Sequence, residues 1–442
     1  MSRSEQNEQQ SPVERSYQAR VDQLAFNFSP SEAGTSRYTP SSTGQSYQNG
    51  DGTSKISTYT YVTDRDAQSL LQEVDGRFIN TLSDKYYLPT GKDYEAEWSR
   101  LDKQHIALML GLGGLYPARE DIQVLLAPQE GETKRILDIG CGTGTWAIEM
   151  ARLHPHCEIV AVDLSPVPVE SDALPSNCRF EVDNINMGLA HFYGQFDLIH
   201  TRIVGIGIDN FKDRMKDVHQ CLKPGGIALW IDADFDLYST EKFEYHPPAS
   251  DNHPEGSWAQ RIMYELRKAG IKVGSDVDGM ESALDAGLWS DPLIDSKTCK
   301  TGSLYLPIGT WANHEDPAIS QQLKYVGALM RQGFIGGTAS SKTFLIKVGW
   351  RKETVETWER NVIQELTELR VHTLVRYRLA WGRRKPVAPR SAQQRHNEEE
   401  ETESSSRSPY PWFYVYDTEE AALEQAEERR RGKANLLPST SL

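Results

Sequence analysis

An apolar run, a glycine-rich turn and an amphipathic helix follow one another without a break between Arg135 and Leu153. Arg135-Ile136-Leu137-Asp138-Ile139 predicts a short buried strand. Gly140-Cys141-Gly142-Thr143-Gly144 predicts the turn, and Trp146, Ala147, Met150, Ala151 and Leu153 then recur at helical spacing. Further apolar runs predict strands at Glu158–Val162, Cys178–Val182, Gln195–Arg202, Ile227–Ile231, Lys297–Leu306 and His372–Trp381.

Helical spacing marks other stretches. Leu70, Leu71, Val74, Phe78 and Ile79 recur at threes and fours and predict one helix face. A helix from about Glu95 to Gly111 would bury Leu101, His105, Ile106, Leu108 and Met109. Phe211–Leu222 and Ser257–Ala269 also predict helices, and another ends at Gly287, its expected C-cap. Residues 312–370 predict two or more amphipathic helices broken at Gly336-Gly337. Asp232–Ser257 predicts a polar loop whose His246, Asp251 and His253 match no regular metal-site spacing.

Composition refines this picture. The 442 residues carry a net charge of −15, which argues against a general nucleic-acid binder. Hydrophobic content of 38% is low for a fully packed chain of this size. Residues 1–65, rich in Ser, Gln, Thr, Gly and Asn, predict a disordered tail, and 387–408 a flexible linker. The terminal segment 409–442 pairs an aromatic cluster, Tyr410 to Tyr416, with a charged helical run, and could dock on this domain or on a protein partner. No apolar run approaches the ~20 residues that span a bilayer, and no signal-peptide core is visible. An intracellular protein is expected, cytoplasmic or, through Arg383-Arg384-Lys385, nuclear. Five scattered cysteines without a C-x-x-C fit a reducing compartment, and no metal site is expected.

The turn carries the chemistry. Its glycines let backbone turn sharply and approach a ligand, and the following helix offers free N–H groups. A dinucleotide turn reads G-x-G-x-x-G; this one reads G-x-G-x-G with Asp138 two residues before it. A carboxylate there repels a pyrophosphate and suits the cationic amino group of a methionine moiety. Asp163, followed by Leu164, closes the second strand about 25 residues later, where an acid can take both ribose hydroxyls.

Asp138 to Gly144 resembles motif I of class I S-adenosylmethionine-dependent methyltransferases. Leu222-Lys223-Pro224-Gly225-Gly226 is a common signature of the same class. A narrower resemblance is to the fungal LaeA-like family of secondary metabolism. It rests on Tyr86-x-Leu88-Pro89, Glu97, Arg100-Leu101, Gln104-His105, Phe196-Asp197-Leu198-Ile199-His200-x-Arg202, Pro307-Ile308-Gly309-x-Trp311 and Gly382-Arg383-Arg384-Lys385-Pro386. It covers roughly residues 80–386.

The resemblance implies an α/β, Rossmann-like seven-stranded sheet over residues 66–386. The last strand would be antiparallel, helices would cover both faces, amino-terminal helices would lie over the cofactor, and the helical insertion 312–370 would act as a lid before the last strand. It implies S-adenosyl-L-methionine as cofactor, held by Asp138, Gly140, Cys141, Gly142, Gly144, Asp163, Leu164, Asp183, Asn184 and His200. The strand tip Asp183-Asn184 would meet the adenine. The expected activity is methyl transfer to a small-molecule acceptor, with neither nucleic acid nor membrane involved. A LaeA-like nuclear regulator in a protein complex and a non-catalytic interaction module are the alternatives. No catalytic residue is assigned; His105 and His200 lead if a base is used.

Overall fold

The computed structural model describes residues 70–90, 94–169, 174–239, 243–250, 253–386 and 410–436. The amino-terminal tail and the linker expected at 387–408 lie outside them. The described chain opens with a hairpin, β1 (Leu71–Val74) and β2 (Arg77–Asn80), where a helix was expected. Asp75 and Gly76 form its turn, both with positive φ (50° and 76°). An Asp-Gly pair favours the primed turn that joins two strands, and this local preference overrides apolar residues at helix-like spacing. Helices α1 (Tyr94–Leu112) and α2 (Arg119–Leu125) then lead into the sheet.

Five parallel strands form the first half of the sheet: β3 (Lys134–Ile139), β4 (Cys157–Asp163), β5 (Cys178–Val182), β6 (Phe196–Arg202) and the start of β7 (Leu222–Ser239). Helices α3 (Thr145–Leu153) and α4 (Phe211–Cys221) connect them. After α5 (Trp258–Lys272) and α6 (Val277–Ala286) come β8 (Lys300–Ile308), the helices α7 (Pro317–Lys347) and α8 (Lys352–Glu368), and β9 (Thr373–Arg383). β9 inserts antiparallel between β7 and β8. The strands lie in the order β5-β4-β3-β6-β7-β9-β8, a seven-stranded sheet with its last strand, β9, antiparallel, as expected. β10 (Phe413–Tyr416) adds an eighth, pairing antiparallel with the β8 edge.

Two further expectations change. Residues Asp232–Ser239 are not loop but the continuation of β7 along β9. Their acids are paired inside the protein: Asp234 receives Tyr238 Oη (2.6 Å), Arg376 Nη1 (3.2 Å) and Arg378 Nη2 (3.1 Å). Gly336-Gly337 breaks nothing, because α7 runs unbroken for 31 residues. The pair faces the Arg100 side chain of α1, and a Cβ on Gly336 would lie 3.5 Å from it, an ordinary contact distance, so packing does not require glycine here.

The aromatic tail docks on this domain. Tyr410 is buried, Trp412 stacks near Trp311 (6.0 Å between centroids), and α9 (Glu419–Leu436) buries Ala422 and Ala426. Arg429 reaches Asp285 (3.3 Å), which also holds Arg376 (2.7 Å) and Arg378 (3.1 Å), and Lys433 reaches Asp236 (2.7 Å). Burial works against the Asp285 charge, yet the three guanidiniums hold its carboxyl well below the usual range. Arg429→Ala should cost roughly 1–3 kcal/mol in denaturant unfolding, less than removal of a sole partner because Asp285 keeps two others. Deleting residues 410–436 should lower the melting temperature further and promote association through the uncovered β8 edge, read by light scattering; unchanged stability in both would mean the tail rests on the fold without bracing it.

Candidate functional site

The carboxyl ends of β3, β4, β5 and β6 converge on the glycine turn. Gly140, Gly142 and Gly144 all have positive φ (70°, 57° and 77°). A Cβ on Gly140 would overlap the Val204 side chain, and one on Gly144 would lie 2.6 Å from the Phe180 ring. The turn therefore needs glycine for both conformation and space. Cys141, between them, is buried, and burial with the nearby Asp163 and Asp138 charges pushes its thiol far up, so it packs as a neutral group.

Asp138 and His200 face each other in register on β3 and β6. Asp138 Oδ1 accepts from His200 Nδ1 at 2.8 Å, and the His200 ring stacks on Trp146 of α3 (3.9 Å, 10° between planes). Trp146 is fixed in turn by donating to Leu115 O (2.8 Å). Burial holds the His200 pKa down despite the acid beside it, so the ring is neutral and Nε2 carries a lone pair. Both Asp138 Oδ2 and His200 Nε2 are buried and have no hydrogen-bond partner.

Asp163 closes β4. Its Oδ2 accepts from Gly142 N (2.9 Å) and its Oδ1 from Ser165 N (3.1 Å), so it ties the β4 tip to the glycine turn. Burial raises its pKa to about 6, against the pull of these backbone donors. Leu164, beside it, is half-buried. At the β5 tip, Asn184 is committed: its Oδ1 caps the short helical turn at Asn186 N (3.0 Å) and its Nδ2 donates to Leu82 O (2.8 Å). Asp183 accepts from Asn184 N (2.7 Å) and has His191 Nε2 at 3.2 Å.

Helix α1 roofs this cluster, and it carries residues that sequence reasoning missed. Asp102 Oδ1 accepts from both Thr143 Oγ1 (3.0 Å) and Thr145 Oγ1 (2.8 Å), clasping α1 to the turn. Asp102 lies inside the Arg100-to-His105 motif, but nothing local says which helix positions face the turn. Glu97 pairs with Arg100 (2.6 Å) and accepts from Ser340 Oγ of α7 (2.5 Å). Gln104 donates to Tyr377 Oη of β9 (3.3 Å). His105 uses both ring nitrogens: Nδ1 accepts from Arg202 Nη1 (3.0 Å) and Nε2 donates to Glu149 (3.2 Å). Burial, with Arg202, pulls its pKa down. The expectation of a base at His105 therefore fails in this arrangement, because no lone pair is left to take a proton.

Behind Arg202 the backbone is strained. Ile203, a β-branched residue, has φ of 57°. It is held by its N–H on Ile231 O (2.8 Å) and by Asp232 Oδ2, which accepts from Val204 N (3.0 Å) and Gly205 N (2.8 Å). Asp232, expected in a loop, thus sets the exit of β6.

These residues suit S-adenosylmethionine. A bare glycine turn accommodates main-chain contact, and the unpartnered acceptors at Asp138 and His200 suit a cationic amino group. Residues 115–269 match the family described as a methyltransferase domain. The chain is 30% identical over 314 residues to the secondary metabolism regulator laeA of Coprinopsis cinerea, covering 71% of this chain and 74% of that one. The chain is a LaeA-like S-adenosylmethionine-dependent methyltransferase. The methyltransferase pytC of Aspergillus terreus is 28% identical over 70% of this chain and 92% of its own, and the methyltransferase str2 of Strobilurus tenacellus 27% over 61% and 87%.

With the ribose contact expected at Asp163, the raised pKa of this buried carboxyl predicts a pH dependence of cofactor binding. Ribose hydroxyls donate better to a carboxylate than to a carboxyl, so binding should favour the ionised form. Affinity for S-adenosylhomocysteine should be flat above about pH 6 and fall below it as Asp163 protonates. Calorimetry from pH 5 to 7.5 tests this, and Asp163→Asn should remove the slope. Asp163→Ala should weaken binding by about 1.5–3 kcal/mol and also destabilise the fold, since it frees Gly142 N and Ser165 N.

Proposed function

We propose that this methyltransferase modifies a small molecule whose acceptor oxygen, a phenol or carboxylic acid, sits beside Arg202 under α1 and α7. The observation that carries this reading is enclosure. His105 of α1, His200 and Tyr377 are each no more than 3% exposed, and α1 is tied over this region by the Gln104–Tyr377 and His105–Arg202 bonds. A small acceptor suits such a roofed centre better than a macromolecule does.

The proposed division of labour follows from the geometry. The glycine turn at Gly140, Cys141, Gly142 and Gly144 cradles the cofactor; Asp138, oriented by His200, meets its amino group. Asp163 with Leu164 takes the ribose. Asp183 meets the adenine, and Asn184 holds that strand tip in place. S-adenosylmethionine supplies a methyl group activated by its sulfonium for in-line displacement. Arg202, donating to neutral His105, keeps a positive guanidinium available to steady an anionic acceptor. With the His105 lone pair taken by Arg202 and burial lowering the basicity of both histidines, the reading favours acceptors that ionise unaided over ones that need a strong base.

The test uses methyl-labelled S-adenosylmethionine with a panel of phenols and carboxylic acids and, separately, a protein-rich cell extract. Label in the small-molecule fraction supports the reading. Label only in protein would overturn it and favour the second reading, a regulator acting in a protein complex, which the name of the Coprinopsis cinerea relative motivates. Arg202→Met should cut transfer by about 10- to 100-fold while leaving S-adenosylhomocysteine binding nearly unchanged.

The roof must move for exchange of ligands. The Glu97–Ser340 bond joins α1 to α7, and Asp102 joins α1 to the turn. Hydrogen exchange in α1 and α7 should therefore slow when cofactor binds. Slow exchange unchanged by ligand would make both helices a fixed cap.

A further inference from the structure

The carboxyl end of α3, remote from the glycine turn, gathers three metal-ligating side chains in the sequence His154-Pro155-His156-Cys157. One ligand atom from each of His154, His156 and Cys157 lies within 4.8 Å of the others. We propose that these three residues form a binding site for a zinc ion, with solvent in the fourth position.

Three observations carry the assignment beyond proximity. First, His154 presents a buried ring nitrogen, Nε2, that has no hydrogen-bond partner. Second, His156 Nε2 meets Leu126 O at 2.7 Å. A carbonyl can only accept, so the proton sits on Nε2 and Nδ1 is left with its lone pair. Metal-bound histidines are commonly oriented by such an N–H to carbonyl bond. Third, the loop is already rigid. Asn177 Nδ2 lies against Ala151 O (3.1 Å), His154 O (3.2 Å) and Cys157 O (2.9 Å), and Cys157 N donates to His154 O (3.0 Å). A preformed frame lowers the ordering cost of capturing an ion.

The donor set selects the metal. Two imidazoles and one thiolate suit zinc, whereas magnesium and calcium want oxygen ligands. Bond lengths of about 2.0–2.3 Å put tetrahedral ligands roughly 3.3–3.8 Å apart, so small side-chain rotations close the site. On binding, the Cys157 S–H bond breaks, the Zn–S bond forms, and the proton leaves to solvent. The ion would brace the turn between α3, which begins at the glycine turn, and β4, which ends at Asp163.

The experiment uses the full chain without a histidine tag, stripped by chelator and titrated with cobalt(II) as the optical probe and then with zinc. The expected result is a thiolate-to-cobalt charge-transfer band that saturates at one ion per chain and is displaced by zinc, with zinc raising the melting temperature. Cys157→Ser should lose the band. Because Cys157 is buried and that variant can misfold, the exposed His156→Ala is the second arm, expected to weaken binding by roughly 10- to 100-fold with S-adenosylhomocysteine binding intact. No stoichiometric band in the parent chain, or a band indifferent to His156→Ala, would overturn the proposal.

Discussion

A carboxylate buried at the end of the central strand is the constraint on which this site depends. Asp138 has one oxygen on His200 and the other without a donor. An under-compensated buried charge costs several kcal/mol, and the surroundings are arranged to bear it. The His200 ring is stacked on Trp146, Trp146 is fixed to Leu115, and the glycine turn stays open in left-handed conformation. In the proposed site, the cofactor's amino group is the partner that would relieve the charge.

The same logic of paired charge divides β7 between two tasks. Asp232 grips the strained exit of β6, where Ile203 has positive φ, and so sets the surroundings of Arg202. Two residues on, Asp234 belongs to the Arg376–Arg378–Asp285 network, which Arg429 extends into the tail. One long strand thereby joins the surroundings of Arg202 to the segment that covers the sheet edge. The eighth strand is a physical answer to an exposed β8, whose unpaired backbone would otherwise invite pairing with another chain.

His105 illustrates how a neighbour changes a role. Its spacing on α1 suits either a buried structural group or a base. Arg202 on one nitrogen and Glu149 on the other make it a neutral bridge between a cation and an anion. It carries the guanidinium's influence toward α3 and contributes no proton acceptor of its own.

The amino-acid sequence by itself determined the strand–turn–helix from Arg135 to Leu153, the acid at Asp163, the strand tip at Asp183-Asn184 and the places of the parallel strands along the chain. Each depends on residues close together in the chain, where periodicity, glycine conformation and turn chemistry act locally. The Asp75-Gly76 hairpin was legible on the same terms but was masked by helix-like spacing from Leu70 to Ile79. Tertiary structure decided the rest. Asp234 looks like loop polarity until Arg376, 142 residues away, supplies its countercharge. Gly336-Gly337 looks like a break, yet the helix runs through it and is tied to α1 by the Ser340–Glu97 bond. Phe413 to Tyr416 has no assigned place until the β8 edge offers backbone partners. In each case the deciding energy belongs to a pair of groups distant in sequence, and such pairs exist only once the chain has folded.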